Sequence, residues 1–405
     1  MIPIWLARSI LGAACLPLVY YAMVIGTAVR FLNRRTRRFN PASAPAVSVL
    51  KPVRGVDPGA YEHYATFCRQ DYADYEIIFG VADPDDAAIA LVQRLIAEFP
   101  DRSIRLVSGI PDVGTNSKVS TLCRLVREAR HDLLVICDSD VSVPAGYLQA
   151  VAAAFNDANV GVVTCLYRGV PDGRHVWADL EALGISADFM AGVLMAEQVE
   201  GVRFALGATM ATTRAHLLEI GGFEAMVDRC ADDFELGSRM AAQGYRVELA
   251  DCVVRTVCVA ATFAPFFRHE LRWAITQRQC RPGSYLVRTL VTHGLPWTIA
   301  AVAVASSAVI AWIYIAAYVV LRTAMAWVVG AGVLRDDTVR RRWWLLPVRD
   351  AISFLVACAA HVHERIEWRG REFHLVRGRL LPIAAGHGGR APAAISTVSR
   401  PDAND

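Results

Sequence analysis

The sequence predicts an α/β domain with a Rossmann-like sheet, placed between one N-terminal transmembrane helix and a C-terminal group of transmembrane or interfacial helices. The 405 residues are 54% hydrophobic and only 20% charged, which is too apolar for an ordinary soluble enzyme. Long uncharged runs lie towards both ends of the chain. The middle alternates short β-branched runs with amphipathic helical stretches, a pattern typical of α/β layers.

The charge balance argues against a nucleic-acid partner, and the cysteine pattern indicates the redox environment of the protein. The 42 basic and 39 acidic residues leave a net charge of +3, so nucleic acid is not an expected partner. The 10 cysteines form no CxxC pair and several lie in apolar runs, which indicates reduced thiols in a cytosolic environment.

The N-terminal segment, residues 1–38, is predicted to be a membrane anchor with a basic flank. No charged residue occurs from Ser9 to Val29, and this run is long enough to cross a bilayer. It could be a secretory signal, but it is long for one and shows no clear cleavage site, so we favour an uncleaved anchor. Arginines follow at positions 30, 34, 35, 37 and 38. By the positive-inside rule they place the following domain in the cytoplasm.

The C-terminal third contains the other predicted membrane segments. Residues 289–334 carry a single charge, Arg322, and predict a transmembrane hairpin. Residues 335–381 predict a basic loop, a short apolar helix over 351–362 and a second basic segment, and the short helix is interfacial, re-entrant or spanning. The basic residues favour an even number of crossings. Residues 382–405, rich in Ala, Gly, Pro and Ser, predict a disordered tail.

Residues 45–261 form the predicted catalytic domain. Four strands are expected, at 46–50, 75–81, 103–107 and 132–138, separated by helices over 61–69, 87–99 and 117–129. Ligands of parallel sheets bind at the carboxyl ends of the strands. Lys51, Asp83, Asp138 and Asp140 lie at or after these ends.

This rim predicts a metal-assisted nucleotide site. Neither GxGxxG nor a P-loop motif is present, so another device must hold phosphate. Asp138 and Asp140 can offer oxygen ligands to Mg²⁺ or Mn²⁺, which would neutralise a nucleoside-diphosphate leaving group. The alternative is a solvated turn, because a DxD triplet often occurs by chance.

A second acidic pair, Asp232 and Asp233, precedes the helical run FELGSRMAAQ. One acid at a helix N-terminus can be only a cap. The second acid of the pair is then available to deprotonate an attacking hydroxyl.

The hexapeptide RHELRW, residues 268–273, follows an aromatic run and allows two interpretations. Residues 262–288 resemble an amphipathic interfacial helix, in which Arg272 and Trp273 would be membrane anchors. The same two side chains also suit a diphosphate and a sugar or lipid ring.

Together these pieces resemble the ceramide glucosyltransferase-like group of family 2/21 glycosyltransferases, and within it the bacterial hopanoid-associated glycosyltransferases. The matching segments lie in family order across nearly the whole chain and are LKPVRGVDP, QDYADYEIIFGVADPDDAA, GTNSKVSTL, CDSDV, GGFEAMVDRCADDFELGSRM and HELRW. The resemblance implies a GT-A fold, a UDP-sugar donor, a divalent cation and inverting transfer to a lipid hydroxyl. It also implies an integral protein of the bacterial inner membrane, catalytic at the cytoplasmic face.

The resemblance also implies residue roles. Lys51 and Asp83 would contact the nucleotide and Lys118 the diphosphate region, while Asp138 and Asp140 would bind nucleotide and metal. Asp233 would be the catalytic base, and Asp232 stands where many members have Glu. HELRW corresponds to the (Q/R)xxRW box with His269 at the first position, and it would close the donor and acceptor site.

Several functions follow from the resemblance. The first is transfer of N-acetylglucosamine to a hopanoid polyol such as bacteriohopanetetrol, and the second is glucosylation of ceramide. Polymer synthesis is disfavoured by the HxxRW form and the short C-terminal spans. A degenerate nucleotide-binding scaffold is the remaining alternative, although Asp83, Asp138, Asp140 and Asp233 are all present.

Overall fold

The computed structural model describes residues 2–34, 44–368 and 370–383. The predicted basic positions Arg35, Arg37, Arg38 and Arg369 lie outside the described residues, as does the predicted tail from residue 384 onwards.

An eight-stranded mixed sheet forms the centre of the protein. Its strands are β1 Val47–Val53, β2 Tyr75–Val81, β3 Ser103–Val107, β4 Leu133–Ile136, β5 Val141–Ser142, β6 Val160–Pro171, β7 Met210–Thr213 and β8 Arg246–Cys258. They are ordered β3-β2-β1-β4-β7-β6-β8-β5. The four predicted strands are confirmed as β1 to β4, and the side chains of β1, β2 and β4 are buried throughout, as expected for strands covered on both faces.

The expected parallel arrangement holds for β1 to β4 but not for β7. Strand β7 runs antiparallel to both β4 and β6. The chain leaves the sheet at the carboxyl end of β6, passes through a helical excursion over 176–200 and re-enters from the same edge. A return from the same edge forces the antiparallel direction. This edge also carries the carboxyl ends of β1, β2 and β4, and we call it the active edge.

Fifteen helices occur among the described residues. They are α1 Ile4–Leu32, α2 Ala60–Cys68, α3 Ala88–Glu98, α4 Ser117–Glu128, α5 Tyr147–Ala154, α6 Val176–Gly184, α7 Met190–Glu200, α8 Arg214–Glu219, α9 Asp232–Ala242, α10 Phe263–Cys280, α11 Pro282–Thr292, α12 Gly294–Val304, α13 Ala308–Ala326, α14 Asp337–Arg342 and α15 Leu346–Val362. Short 3₁₀ segments occur at Phe223–Met226 and Trp343–Leu345, and π-helical segments at Ile185–Phe189 and Trp327–Val333. The three helices predicted between the first four strands are confirmed as α2, α3 and α4.

Four helical stretches of the described chain are long and apolar enough to cross a membrane: Ile4–Leu32, Val176–Glu200, Ala308–Val333 and Asp337–Val362. Helices α11 and α12 together form a fifth candidate, bent by 50°. The sequence did not single out Val176–Glu200, which is more than half buried within the protein. Helices α12 and α13 lie within residues 289–334, and the hairpin, the number of crossings and the domain boundaries stay predictions.

A small antiparallel sheet, absent from the sequence prediction, follows α15. Its strands are β9 Arg365–Trp368, β10 Arg371–Val376 and β11 Arg379–Pro382. In β10 the buried Phe373 and Leu375 alternate with more exposed residues, which is the usual pattern of a half-buried strand. The predicted tail therefore begins inside a strand, because Pro382 belongs to β11.

Candidate active site

The ends of β1 and β4 are joined at the active edge by a buried lysine. Lys51 is fully buried, and its Nζ donates a 2.9 Å hydrogen bond to the backbone carbonyl of Asp138. The same ammonium lies 3.9 Å from the centre of the Phe67 ring. Burial lowers the pKa of Lys51 to about 8. Lys51 thus fixes the loop that carries the Asp138 carboxylate.

A second lysine joins this loop to the acid pair. Lys118 lies in the first turn of α4, which the Asn116 side chain caps by accepting from the Val119 amide at 3.2 Å. Lys118 Nζ lies 2.7 Å from Asp138 Oδ1 and 2.8 Å from Asp232 Oδ2. Burial alone would lower the pKa of Lys118, but the two carboxylates outweigh it and hold that pKa well above its usual value. Lys118, predicted to contact diphosphate, here bridges two acids.

The remaining acid of the pair, Asp233, is held by backbone amides. Its Oδ2 accepts from Gly207 N at 2.9 Å and its Oδ1 from Phe234 N at 2.7 Å. Burial first, and the neighbouring Asp232 carboxylate second, raise the pKa of Asp233 to about 6. Asp233 therefore changes charge close to neutral pH, as a general base should.

The absence of a side chain at Gly207 lets the carboxylates of Asp138 and Asp233 lie close to the same point of the backbone. A Cβ at this position would lie 3.0 Å from Asp138 Oδ2 and 3.4 Å from Asp233 Oδ2. The two carboxylates therefore flank the same backbone position, and a side chain there would crowd both. No motif in the sequence points to Gly207.

Asp140, the other acid of the predicted metal site, also lies at this edge. Its Oδ2 accepts a 2.5 Å hydrogen bond from Thr256 Oγ1 of β8. Burial and the nearby Asp138 carboxylate raise the pKa of Asp140 to about 6. Two neighbouring carboxylates that disfavour each other's charge suit a hard cation with oxygen ligands. Among the described residues no group of three or more His, Cys, Asp or Glu side chains could hold a metal alone, so further ligands would have to come from elsewhere.

Tyr167 of β6 lies near three of these acids, although the sequence gave no reason to select it. Burial raises the pKa of the Tyr167 phenol well above its usual value, and the charges of Asp233, Asp138 and Asp140 raise it further. The acids of the two motifs thus converge on one buried side chain. Tyr167 and Thr256 are site residues that only the fold reveals.

Asp83 lies at the same edge but outside this cluster. It is exposed, and its Oδ1 accepts from the Asp85 amide at 3.0 Å. Its neighbour Asp86 accepts from Gly55 N at 2.9 Å, which ties the loop after β2 to the loop after β1. Asp83 is therefore open to a ligand arriving from solvent.

The HxxRW box lies on α10. His269 Nδ1 is 2.8 Å from Oε1 of the buried Glu181 on α6, and its ring lies 5.2 Å from the Trp273 ring in an edge-on arrangement. Trp273 in turn meets Phe189, with ring centroids 5.6 Å apart. The first position of the box thus has a carboxylate partner, and Glu181 is a residue that sequence reasoning missed.

The next turn of α10 contacts the loop before the acid pair. Cys230 Sγ and Thr276 Oγ1 lie 3.6 Å apart, and the Arg281 guanidinium lies 5.8 Å from the centre of the Phe234 ring. Burial raises the pKa of Cys230, while Thr276 and the nearby Arg272 charge oppose this rise. Arg272 therefore lies close to the loop that leads into Asp232 and Asp233. The structure thus gathers Lys51, Lys118 and the four acids Asp138, Asp140, Asp232 and Asp233 at the active edge, with Asp83 at the same edge but apart from them and the HxxRW box on the neighbouring α10.

Comparison with known proteins identifies the same family. Residues 11–381 match glycosyl transferase family 21. Ceramide glucosyltransferase 1 of Caenorhabditis elegans is 26% identical over 256 residues, which cover 62% of this chain and 54% of the relative. The ceramide glucosyltransferase of Gibberella zeae is 29% identical over 180 residues, covering 40% and 33%. The chain thus spans about half the length, or less, of these curated relatives.

A solved structure shows the same fold. The mannosyltransferase PcManGT from Pyrobaculum calidifontis, in complex with GDP-Man and Mn²⁺, superposes with a TM-score of 0.51 at 20% identity, covering 88% of this chain and 99% of that one. The fold described above is therefore that of the GT-A class. The chain belongs to glycosyl transferase family 21.

Proposed function

We propose that the protein is an inverting, metal-dependent glycosyltransferase that moves a sugar from a UDP-sugar to the hydroxyl of a membrane lipid. The observation that carries this proposal is the meeting of Asp233 and Asp138 at Gly207. It places a carboxylate with a pKa of about 6 beside the acid region assigned to the donor. One residue can then take a proton at the point where the donor is bound.

Asp233 is assigned as the base because its environment differs from that of Asp232. Asp232 is engaged by Lys118 at 2.8 Å, whereas among the described residues the side chain of Asp233 accepts hydrogen bonds from the backbone amides of Gly207 and Phe234. Those amides orient the carboxylate and leave its remaining lone pairs available. Asp233 would accept the proton of the lipid hydroxyl as its oxygen attacks the anomeric carbon, and an inverting displacement needs no covalent enzyme intermediate.

Asp138 and Asp140 are assigned to the divalent cation, Mg²⁺ or Mn²⁺, and Asp138 also to the nucleotide. Their paired carboxylate oxygens fit such an ion, which when bound would neutralise the charge of the departing diphosphate. Lys51 would hold the Asp138 loop in place through its hydrogen bond to the Asp138 carbonyl. Exposed Asp83 would contact the nucleotide from the end of β2, and Arg272 with Trp273 would close the site.

The proposal that the acceptor is a membrane lipid rests on the apolar helices and on the similarity to the relatives. Several helices have membrane-spanning length, and they pack directly against the sheet domain, for example where Arg34 after α1 meets Asp251 in β8 at 2.7 Å. Arg30 and Arg34 at the end of α1 support a cytoplasmic catalytic domain. The bacterial inner membrane is proposed on the hopanoid-associated resemblance.

We propose two donor and acceptor pairs. The sequence resemblance favours N-acetylglucosamine transfer from its UDP form to a hopanoid polyol such as bacteriohopanetetrol. The curated relatives, named ceramide glucosyltransferases, favour transfer of glucose to ceramide. Both acceptors are neutral lipids with a free hydroxyl.

The test is a product assay on detergent-purified protein with Mg²⁺ or Mn²⁺. UDP-glucose or UDP-N-acetylglucosamine is combined with ceramide or bacteriohopanetetrol, and the lipid product is identified by mass. We expect one combination to gain the mass of one sugar, and the Asp233→Asn variant to give none. Absence of product in all four combinations, with folded protein that binds UDP, would overturn the proposed reaction.

A further inference from the structure

The loop over residues 227–231, which we call the acid loop, leads directly into the acid pair at the start of α9. The segment before α4 binds this loop. Asn116 donates its backbone N–H to the carbonyl of Val227 at 2.7 Å and its side-chain Nδ2 to the carbonyl of Arg229 at 2.8 Å. The acid loop is thus tied to the part of the chain that carries Lys118.

The acid loop is also bound by the C-terminal hairpin, which we define as β10, β11 and the turn at 377–378. Cys230 N donates to the carbonyl of Gly378 at 3.0 Å, and Leu380 N donates to the carbonyl of Asp228 at 2.9 Å. An antiparallel bridge lies between these two hydrogen bonds. The acid loop therefore extends the hairpin in the manner of a short additional strand.

Helix α10 supports the hairpin through a shared apolar cluster. This cluster includes buried side chains of β10, β11 and α10, among them Phe373, Leu375, Leu380, Ala274 and Ile275. Cys230 of the acid loop belongs to the same cluster. The hairpin is therefore anchored on the helix that carries the HxxRW box while it holds the loop before the acid pair.

The turn of the hairpin has a conformation that favours glycine. Arg377 and Gly378 have φ angles of 49° and 76°, and the strand pairing closes around them between Val376 and Arg379. Two positive φ angles at the centre of a two-residue hairpin turn are typical of a type I′ turn, in which Gly is preferred at the second position. In this conformation the carbonyls of both turn residues accept hydrogen bonds from the acid loop.

Arg229 extends the contact from the turn to the first turn of α9. Its Nη1 donates to the Arg377 carbonyl at 2.8 Å, and its Nε lies 3.4 Å from Glu235 Oε1. A Cβ built on Gly378 would lie 3.6 Å from Arg229 Nη1 and 4.0 Å from Glu235 Oε1. Glu235 follows Asp233 by two residues. The hairpin turn therefore lies against the helical turn that carries the acid pair.

We propose that the C-terminal hairpin is a positioning element of the active site, whose turn fixes the acid loop and thereby the placement of Asp232 and Asp233. The inference rests on the proposed function for the role of Asp233 as the base. A base must lie within hydrogen-bond reach of the proton that it takes, and a displacement of about 1 Å can cost about 10²-fold in rate. The segment after α15 thus serves the site through the backbone of the acid loop.

Three glycine variants separate this role from general stability. Gly378→Val should break the turn, because a β-branched residue is strongly disfavoured at positive φ. Gly378→Asn is the conservative variant, since Asn accepts this conformation. Gly370→Val is the matched control: Gly370 has a φ of 75° at the turn between β9 and β10, and a Cβ there meets no atom within 4 Å. The two valine variants strain the same small sheet at different turns.

The first measurement is hydrogen exchange, followed by mass spectrometry on the full chain in detergent, over residues 228–235. It requires no turnover. We expect Gly378→Val to lose protection in this segment, whereas Gly378→Asn and Gly370→Val should exchange there as the parent does. Arg229→Gln removes the contact to the turn carbonyl and should show the same loss, which keeps the test decisive if Gly378→Val does not fold.

The second measurement compares turnover with UDP affinity. We expect kcat of Gly378→Val to fall by about 10- to 100-fold, because the base is displaced, while UDP affinity changes much less. Gly378→Asn should restore the kcat of the parent. A purely structural role would instead lower Tm similarly in both valine variants and leave kcat of the folded enzymes equal.

The two proposals fail differently. If no combination of donor and acceptor gives a product, the proposed function fails, and the exchange measurement alone decides on the hairpin. If Asp233→Asn is inactive but both valine variants share one kcat, the hairpin inference fails and the proposed function stands. Unchanged exchange over residues 228–235 in Gly378→Val and Arg229→Gln would overturn the hairpin inference in either case.

Discussion

The Lys118 ammonium lies 2.8 Å from the Asp232 carboxylate and couples the start of α4 to the start of α9. The contact has the distance of an ion pair without the geometry of a hydrogen bond. Because Lys118 also lies 2.7 Å from Asp138, one cation holds two acids from distant parts of the chain. This arrangement separates the roles of the acid pair: Asp232 is engaged by the bridge and Asp233 is left for chemistry.

Removing the bridge should destabilise the fold. Lys118→Met leaves Asp138 and buried Asp232 without their common cation, and breaking a buried ion pair costs about 3–5 kcal/mol. The free energy of unfolding, or the shift in Tm, measures this loss. Arg124→Met on the same helix is the control, because Arg124 forms an exposed pair with Glu128 that is worth about 1 kcal/mol or less. Equal, small losses in both variants would contradict the structural role of Lys118.

Asp233→Asn should stop transfer while UDP still binds. The amide oxygen can still accept from Gly207 N, but the side chain no longer takes a proton, so turnover should fall by about 10²–10⁴-fold. UDP affinity by calorimetry should stay unchanged. Asp232→Asn is the comparison, and it should lower stability through Lys118. A turnover in Asp233→Asn close to that of the parent would remove Asp233 as the base.

The rate should depend on pH through Asp233. A base with a pKa of about 6 is ionised above pH 6 and protonated below it, so kcat/KM should decline as pH falls through 6. Asp140 gains its proton in the same range, because its pKa is also about 6. Metal-dependent UDP binding reports on Asp140, whereas the single-turnover rate with bound donor reports on Asp233. A rate that is flat between about pH 5 and 8 would contradict the assignment.

Removal of divalent cations should abolish transfer and weaken UDP binding. Asp140→Asn should raise the concentration of Mn²⁺ required for both, because one charged oxygen ligand is lost. Thr256→Val is the matched control: it removes the 2.5 Å hydrogen bond to Asp140 and keeps the carboxylate, so its metal requirement should change less. Full activity in strong chelator would exclude the cation from the reaction.

Local patterns in the sequence predicted much of the sheet and its active edge. Strands β1 to β4 are short buried runs bounded by turn residues, and side chains that follow such strands meet at one edge whatever the details of packing. Lys51, Asp138 and Asp140 were found in this way. The acid pair Asp232 and Asp233 was recognised from its place before a helix, and the family resemblance assigned Asp233 as the base and the RHELRW segment to the (Q/R)xxRW box.

The remaining features depend on contacts between distant segments, which local patterns do not encode. The partners Lys118 and Asp232, His269 and Glu181, and Arg322 and Asp350 are set by how helices pack. The direction of β7 depends on the edge at which the chain returns. The sheet β9–β11 could have been predicted from the glycines at its turns, because Gly370 and Gly378 adopt positive φ and flank a strand whose buried and exposed residues alternate. The many arginines favoured the interpretation as a basic segment instead.

The last prediction concerns His269, the first residue of the HxxRW box, where the family resemblance implies Gln or Arg. Its Nδ1 lies 2.8 Å from Glu181, whose side chain is 8% exposed, so the position must supply a donor to a buried carboxylate. Glutamine can donate an amide N–H, and His269→Gln should keep most of the stability and activity. His269→Leu leaves Glu181 without this donor, at a cost of about 1–3 kcal/mol.

The two variants should also separate binding from structure. The His269 ring meets Trp273 at 5.2 Å, and Trp273 is proposed to close the donor and acceptor site. His269→Leu should therefore raise the KM for the lipid and lower Tm, whereas the KM for the UDP-sugar should change little. His269→Gln loses only the ring contact, so its effects should be smaller in the same direction. If the glutamine variant were as impaired as the leucine variant, the role of His269 would lie in its imidazole chemistry rather than in holding Glu181.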